Sequence, residues 1–64
     1  MNMNTYGFEV AHGYSILKGV IDALNEEEAK QRILNGDWDD IIDEYDCDVL
    51  TEGYEITDFW KRKQ

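Results

Sequence analysis

The chain contains no proline, one cysteine, one histidine and, from residue 33 to residue 60, no lysine or arginine at all. Each absence excludes something. A lone Cys47 cannot form an intramolecular disulfide, and with His12 equally alone there is no Cys/His spacing of a zinc site. No run approaches the roughly 20 apolar residues of a membrane-spanning helix, and Met1-Asn2-Met3-Asn4 lacks the charged and apolar regions of a secretion signal. These features read as a cytoplasmic protein without a membrane partner. With no repeats or low-complexity linker either, residues 1–64 read as one small domain, with residues 61–64 (Lys-Arg-Lys-Gln) as a basic C-terminal tail.

What is present is apolar material and negative charge. Two Trp, four Tyr and two Phe within 42% hydrophobic residues suffice for an ordered core and are too many for a disordered tail. A domain of this size has a margin of only about 3 to 5 kcal/mol. Against that stands a net charge of −9. Residues 33–60 hold ten acids and no base, while the rest of the chain sets five acids against six bases. Two like charges 10 Å apart in water repel by roughly 0.4 kcal/mol before screening. Ten of them together cost on the order of one to a few kcal/mol, a sizeable share of the margin. An acidic block of that cost calls for a use.

Periodicity gives the expected elements. "TYGFEV" alternates, with Tyr6, Phe8 and Val10 on one face, as a half-buried strand does. Gly13 in "AHGY" suits a turn, and "YSILKGVIDA" (14–23) reads as a second strand pairing antiparallel with the first, Gly19 marking a bulge. "NEEEAKQRILNG" carries an Asn25 N-cap, Glu28 three residues on, acids in the first turn and an Asn35-Gly36 stop. That predicts a helix with Ala29 and Ile33, and Leu34 at the margin, facing the sheet.

In "DWDDIIDEY" Trp38, Ile41, Ile42 and Tyr45 fall at i, i+3, i+4 and i+7, one face of a helix beginning near an Asp37 cap. Residues 26–45 read either as one broken helix or as two. From Tyr45 the period becomes two, and "YEITDFW" reads as a last strand with Tyr54 and Ile56 on one face and Thr57 and Phe59 on the other. The expected fold class is α+β: a small antiparallel sheet of three to four strands, one or two short helices on one face, in the order ββα(α)ββ.

The residues offer little for catalysis. No nucleophile, base and orienting group are marked out together, and no carboxylate pair is set apart by its environment, so no catalytic residue is assigned and an enzyme is not expected. Read as a calcium loop from Asp37, positions 5 and 6 are Ile41 and Ile42 where a ligand and glycine belong. No metal or cofactor is therefore assigned. Direct nucleic-acid binding needs lysine and arginine against phosphates, and a short basic tail does not outweigh ten acids.

Inverted, the same electrostatics point to a partner. Carboxylates on one face of a strand repeat every ~6.5 Å, and helical neighbours lie roughly 5 to 6 Å apart, a spacing comparable with that of phosphates along a nucleic-acid strand. A surface bearing Asp37, Asp39, Asp40, Asp43, Glu44, Asp46, Asp48 and Glu52, with Tyr54 as an aromatic anchor, would fit the basic groove of a nucleic-acid enzyme.

On "ALNEEEAKQRILNGDWDD" and the acidic run through "DEYDCD", about a third of the chain, the sequence resembles small acidic proteins of phages and mobile elements, particularly anti-CRISPR proteins and other DNA-mimicking inhibitors. The resemblance implies a stoichiometric inhibitor without cofactor, acting in the host cytoplasm. It would bind a Cas nuclease through surface acids that compete with PAM-containing DNA or guide RNA, for example by masking the arginines that read PAM guanines. The rival expectation is a non-enzymatic structural or regulatory interaction module, homodimeric in one form, whose contacts are apolar and whose acids serve only solubility.

Overall fold

Alternation in the first third of the chain does produce extended backbone, and more of it than expected. In the computed structural model, which describes residues 3–62, strand β1 runs Asn4–Ala23, helix α1 Glu26–Leu34 and strand β2 Asp40–Lys61. β1 and β2 form a two-stranded antiparallel sheet with Tyr6 opposite Lys61 at one end of the register and Val20 opposite Asp40 at the other.

β1 is not straight. Twenty extended residues would span about 66 Å, yet the longest dimension of the molecule is 40 Å. Thr5 Oγ1 donates to Asp22 Oδ1 at 2.6 Å and Asn4 Nδ2 to the Leu24 carbonyl at 3.2 Å, so the two ends of β1 meet. The fold-back falls at Gly13, whose φ of +59° is a conformation that side-chain-bearing residues rarely adopt. It also explains a change of parity: even residues Tyr6, Phe8 and Val10 and odd residues Ile21 and Ala23 are all buried in the same core. Residues 6–12 then pair with residues 54–61, and residues 15–20 with residues 40–46. β2 thus runs along both sides of the doubled β1.

α1 closes the core from one face. Asn25 Oδ1 accepts from Glu28 N at 2.8 Å, and Glu28 Oε1 accepts from Leu24 N at 3.2 Å, a capping box whose return bond lands one residue before the cap. At the other end Gly36 N donates to Ile33 O and Asp37 N to Arg32 O, with φ of +74° at Gly36: a Schellman stop. Ala29 and Ile33 are wholly buried in the core against the sheet, while Leu34 is 48% exposed. Phe8, Val10, Ile21 and Ile33, none with any exposure, contribute roughly 1.5 to 3 kcal/mol each.

Two features of the expected fold are overturned. The sheet has two strands rather than three to four, and the order is β-α-β rather than ββα(α)ββ. Extended backbone continues through Gly13 on β1, and on β2 through a wide irregularity in which Tyr14 alone stands against residues 47–50. Stretch 14–23 is accordingly part of β1, and "YEITDFW" part of β2.

Among the described residues there is also one helix, not two: the helical stripe of "DWDDIIDEY" is not used, and residues 40–45 are strand. In a helix Asp39, Asp40, Asp43 and Glu44 would form like-charged i, i+3 and i, i+4 pairs, which destabilise. β-Branched Ile41 and Ile42 and aromatic Tyr45 favour extended backbone, and pairing with β1 supplies its hydrogen bonds.

Bulges account for the remaining differences. Lys18 faces Asp43 and Gly19 faces Ile41, leaving Ile42 as an extra residue, 63% exposed. Glu9 faces Asp58 and Val10 faces Ile56, leaving Thr57 extra; its Oγ1 donates to Glu9 O at 3.2 Å and Glu9 Oε1 at 3.0 Å. The second bulge shifts the phase of β2, so Tyr54, Ile56 and Phe59 all pack against the core instead of dividing between two faces. Lys61 ends β2, Arg62 N donates to Thr5 O at 2.9 Å, and the rest of the basic tail lies outside the described residues.

Candidate functional site

The acids expected to form a partner surface separate into two groups. Asp37 and Asp39 are tied to Arg32, whose Nε lies 3.2 Å from Asp37 Oδ2 and whose Nη2 lies 3.3 Å from Asp39 Oδ1. Its Nη1 donates to Asp22 O at 2.6 Å, and Asp22 N donates to Asp39 Oδ2 at 2.9 Å. This small network fastens the end of α1 and the approach to β2 onto the second half of β1. The hydrogen bond that Arg32 donates to Asp37, with the charge of Asp37 and the hydrogen bond and charge of Asp39, outweighs desolvation and raises the Arg32 pKa above its ordinary value. Arg32 is the residue that a reading of the acidic run overlooks. Its five-residue separation from Asp37 matches no helical pairing rule and becomes a contact only when Gly36 reverses the chain.

Asp40, Asp43, Glu44, Asp46, Asp48 and Glu52 form the second group. All are exposed, all lie on β2, and none makes an ion pair with another described residue. Strand geometry spreads them over both faces. Leu17 packs toward the core and stands opposite Glu44, which with Asp46 therefore projects on the helix-bearing side; Asp43, opposite Lys18, projects on the other. Tyr45 donates its hydroxyl to Asp43 Oδ2 at 3.1 Å, and this bond, followed by the charges of Asp43 and Glu9, raises the phenol pKa above 10.

Tyr54 is a packed ring, not a free anchor. It stacks on His12 at 4.1 Å between centroids and meets Trp38 edge-on at 5.7 Å, while His12 Nδ1 lies 2.8 Å from Gly53 O. Trp38 in turn leans on Phe8 at 5.8 Å. The structure thus brings Asp40, Asp43, Glu44 and Asp46 together along one strand, continues them through Asp48 and Glu52, and sets Asp37, Asp39 and Tyr54 apart in structural contacts.

Among the described residues no group of three or more His, Cys, Asp or Glu side chains is placed to hold a metal ion. An open depression of about 390 Å³ on the outer side of α1, lined by Glu26, Glu27, Lys30, Gln31 and Leu34, gathers no nucleophile–base set. Lys30 there is paired with Glu26 at 2.9 Å and lies 5.1 Å above the Phe59 ring. No helix among the described residues is long and apolar enough to cross a membrane.

Fold and site define a small protein with one helix and two long strands among its described residues, and with carboxylates lacking ion-pair partners drawn out along the second strand. Comparison with protein-family models, curated proteins and solved structures finds no match for the chain.

Proposed function

We propose that this chain is a stoichiometric protein inhibitor that occupies the basic nucleic-acid-binding groove of a host enzyme, acting as an anti-CRISPR on a Cas effector in the host cytoplasm. The observation that carries this reading is the row Asp40, Asp43, Glu44, Asp46 and Asp48, exposed and without cationic partners on one ordered strand. Preset negative charge at strand spacing attracts a groove lined with Lys and Arg and speeds association, with strong salt dependence. The doubled sheet behind it holds the charges in place.

The test is a pull-down and a DNA-binding competition against a panel of guide-loaded Cas effectors, with Asp40→Asn, Asp43→Asn, Glu44→Gln and Asp46→Asn combined as the control. The wild type should displace target DNA at low salt and less so at raised salt. The control should keep its circular dichroism spectrum and associate about tenfold or more slowly. Equal inhibition by both forms would overturn the reading.

A second reading draws on a different observation. Tyr14, Ile42, Val49 and Leu50 are 61%, 63%, 69% and 54% exposed, and Tyr14 stands against the irregular stretch of β2 that holds Val49 and Leu50. Such residues suit an interaction module that joins through apolar contact, a homodimer included. Light scattering across a salt series separates the two: a dimer indifferent to salt and lost on Val49→Ser with Leu50→Ser belongs to the module.

A further inference from the structure

β2 has one neighbour in the sheet, so along its length every second residue turns its N–H and C=O away from β1. The two margins of the doubled sheet handle this differently. At the C-terminal margin the bond from Arg62 N to Thr5 O makes that pair a hydrogen-bonded one; counting in twos, Trp60 opposite Gly7 is another, and Phe59 faces outward. Its outward N–H is already occupied, donating to Asp58 Oδ1 at 2.9 Å. At the other margin, residues 43–46 pair without interruption with residues 15–18, and no side chain of a described residue caps an amide there.

An open edge is a template for a further strand, and proteins commonly guard it with lysine, proline or a bulge. This one has neither lysine nor proline, and its bulge, at Ile42, lies beyond the regular stretch. What guards it is charge: Asp43 on one face, Glu44 and Asp46 on the other. A second copy of the same edge would set carboxylates opposite carboxylates, which is unfavourable. Nucleic acid is repelled for the same reason. Complementary charge on both faces belongs to an extended protein segment with lysine or arginine at successive positions.

We propose that the free margin of β2 at residues 43–46 takes a lysine- and arginine-rich segment of a partner protein as an added strand. The proposal rests on the reading of the acidic strand as the partner surface, and specifies how contact is made: backbone ladder bonds for affinity, side-chain charge for selection.

The test uses fluorescein-labelled peptides of alternating Lys-Arg pairs and valines in fluorescence anisotropy with the whole chain. Two further peptides carry N-methyl groups on the odd or on the even amides, which removes ladder donors and keeps the charge. Strand addition requires that the parent bind, that methylation in one phase weaken it about tenfold or more, and that methylation in the other phase be tolerated better. Hydrogen exchange should slow at the outward amides of residues 43–46 when the parent peptide is bound. Equal binding by all three peptides would overturn strand addition while leaving the acidic surface as the partner site. No binding by the parent would also overturn it, and the Cas competition, run on the same preparation, reports separately on the inhibitor reading.

Discussion

The end of the sheet beneath α1 and the end that α1 leaves uncovered are built on opposite terms. Under the helix, Phe8, Val10, Ile21, Ala23, Ala29 and Ile33 have no exposed surface, the helix is capped at both ends, and Arg32 neutralises the nearby acids. Toward the other end every residue from 42 to 52 is exposed or half-buried, and the carboxylates there have no ion-pair partners among the described residues. Burial at one end supplies the free energy, and the other end uses that rigidity to hold like charges on ordered backbone. A 64-residue chain carries a costly charge row by keeping it away from the few contacts on which its stability depends.

The strongest way to break this division is at the core. Phe8→Ala should cost about 3 to 5 kcal/mol, comparable with the whole margin of a domain this size, and leave the chain largely unfolded in urea titration followed by circular dichroism. Next is the junction between the ends. Gly36 and Gly13 both have positive φ, but a Cβ at Gly36 would meet the Tyr54 hydroxyl at 2.8 Å, whereas nothing lies within 4 Å at Gly13. Gly36→Ala should cost about 1 to 3 kcal/mol and Gly13→Ala about 1, the difference measuring the contact with Tyr54. Equal losses would show that Tyr54 moves freely.

Arg32→Met should lower stability by about 1 kcal/mol, since its partners are largely exposed and screened by solvent. The loss should shrink in high salt. Neutralising Asp40, Asp43, Glu44 and Asp46 should leave stability unchanged or raise it by about a few tenths of a kcal/mol at low salt, the gain vanishing as salt is added. A marked loss on thermal melting would mean that these carboxylates hold the fold.

The smallest effect is spectroscopic. The hydrogen bond to Asp43, with its charge, raises the Tyr45 pKa, so the folded state favours the neutral phenol. Its contribution to stability is present below the unfolded value near 10 and disappears as pH rises through the higher folded value. Ultraviolet titration should show one tyrosine ionising late, and Asp43→Asn should bring it down.

Local signals were legible wherever the chemistry is local. Asn25, Glu28 and the Asn35-Gly36 stop delimit α1 because capping is decided within a few residues, and the alternation of Tyr6, Phe8 and Val10 marks a core face. The helix expected across "DWDDIIDEY" failed because the same apolar spacing serves a bulged strand once β1 is there to pair with it. Of the candidate site residues, exposed acids on β2 remain as a surface, while Asp37 and Asp39 proved to be anchors for Arg32 and Tyr54 a packing ring. Nothing near those residues in sequence signals that. By itself, then, the sequence determined the charge block, the capped helix and the first core face, because composition, capping and alternation act over a few residues. Only the tertiary structure decided the extended path of residues 40–45, the fold-back of β1 and the division of the acids, because these depend on which strand lies alongside and where Gly13 and Gly36 turn the chain.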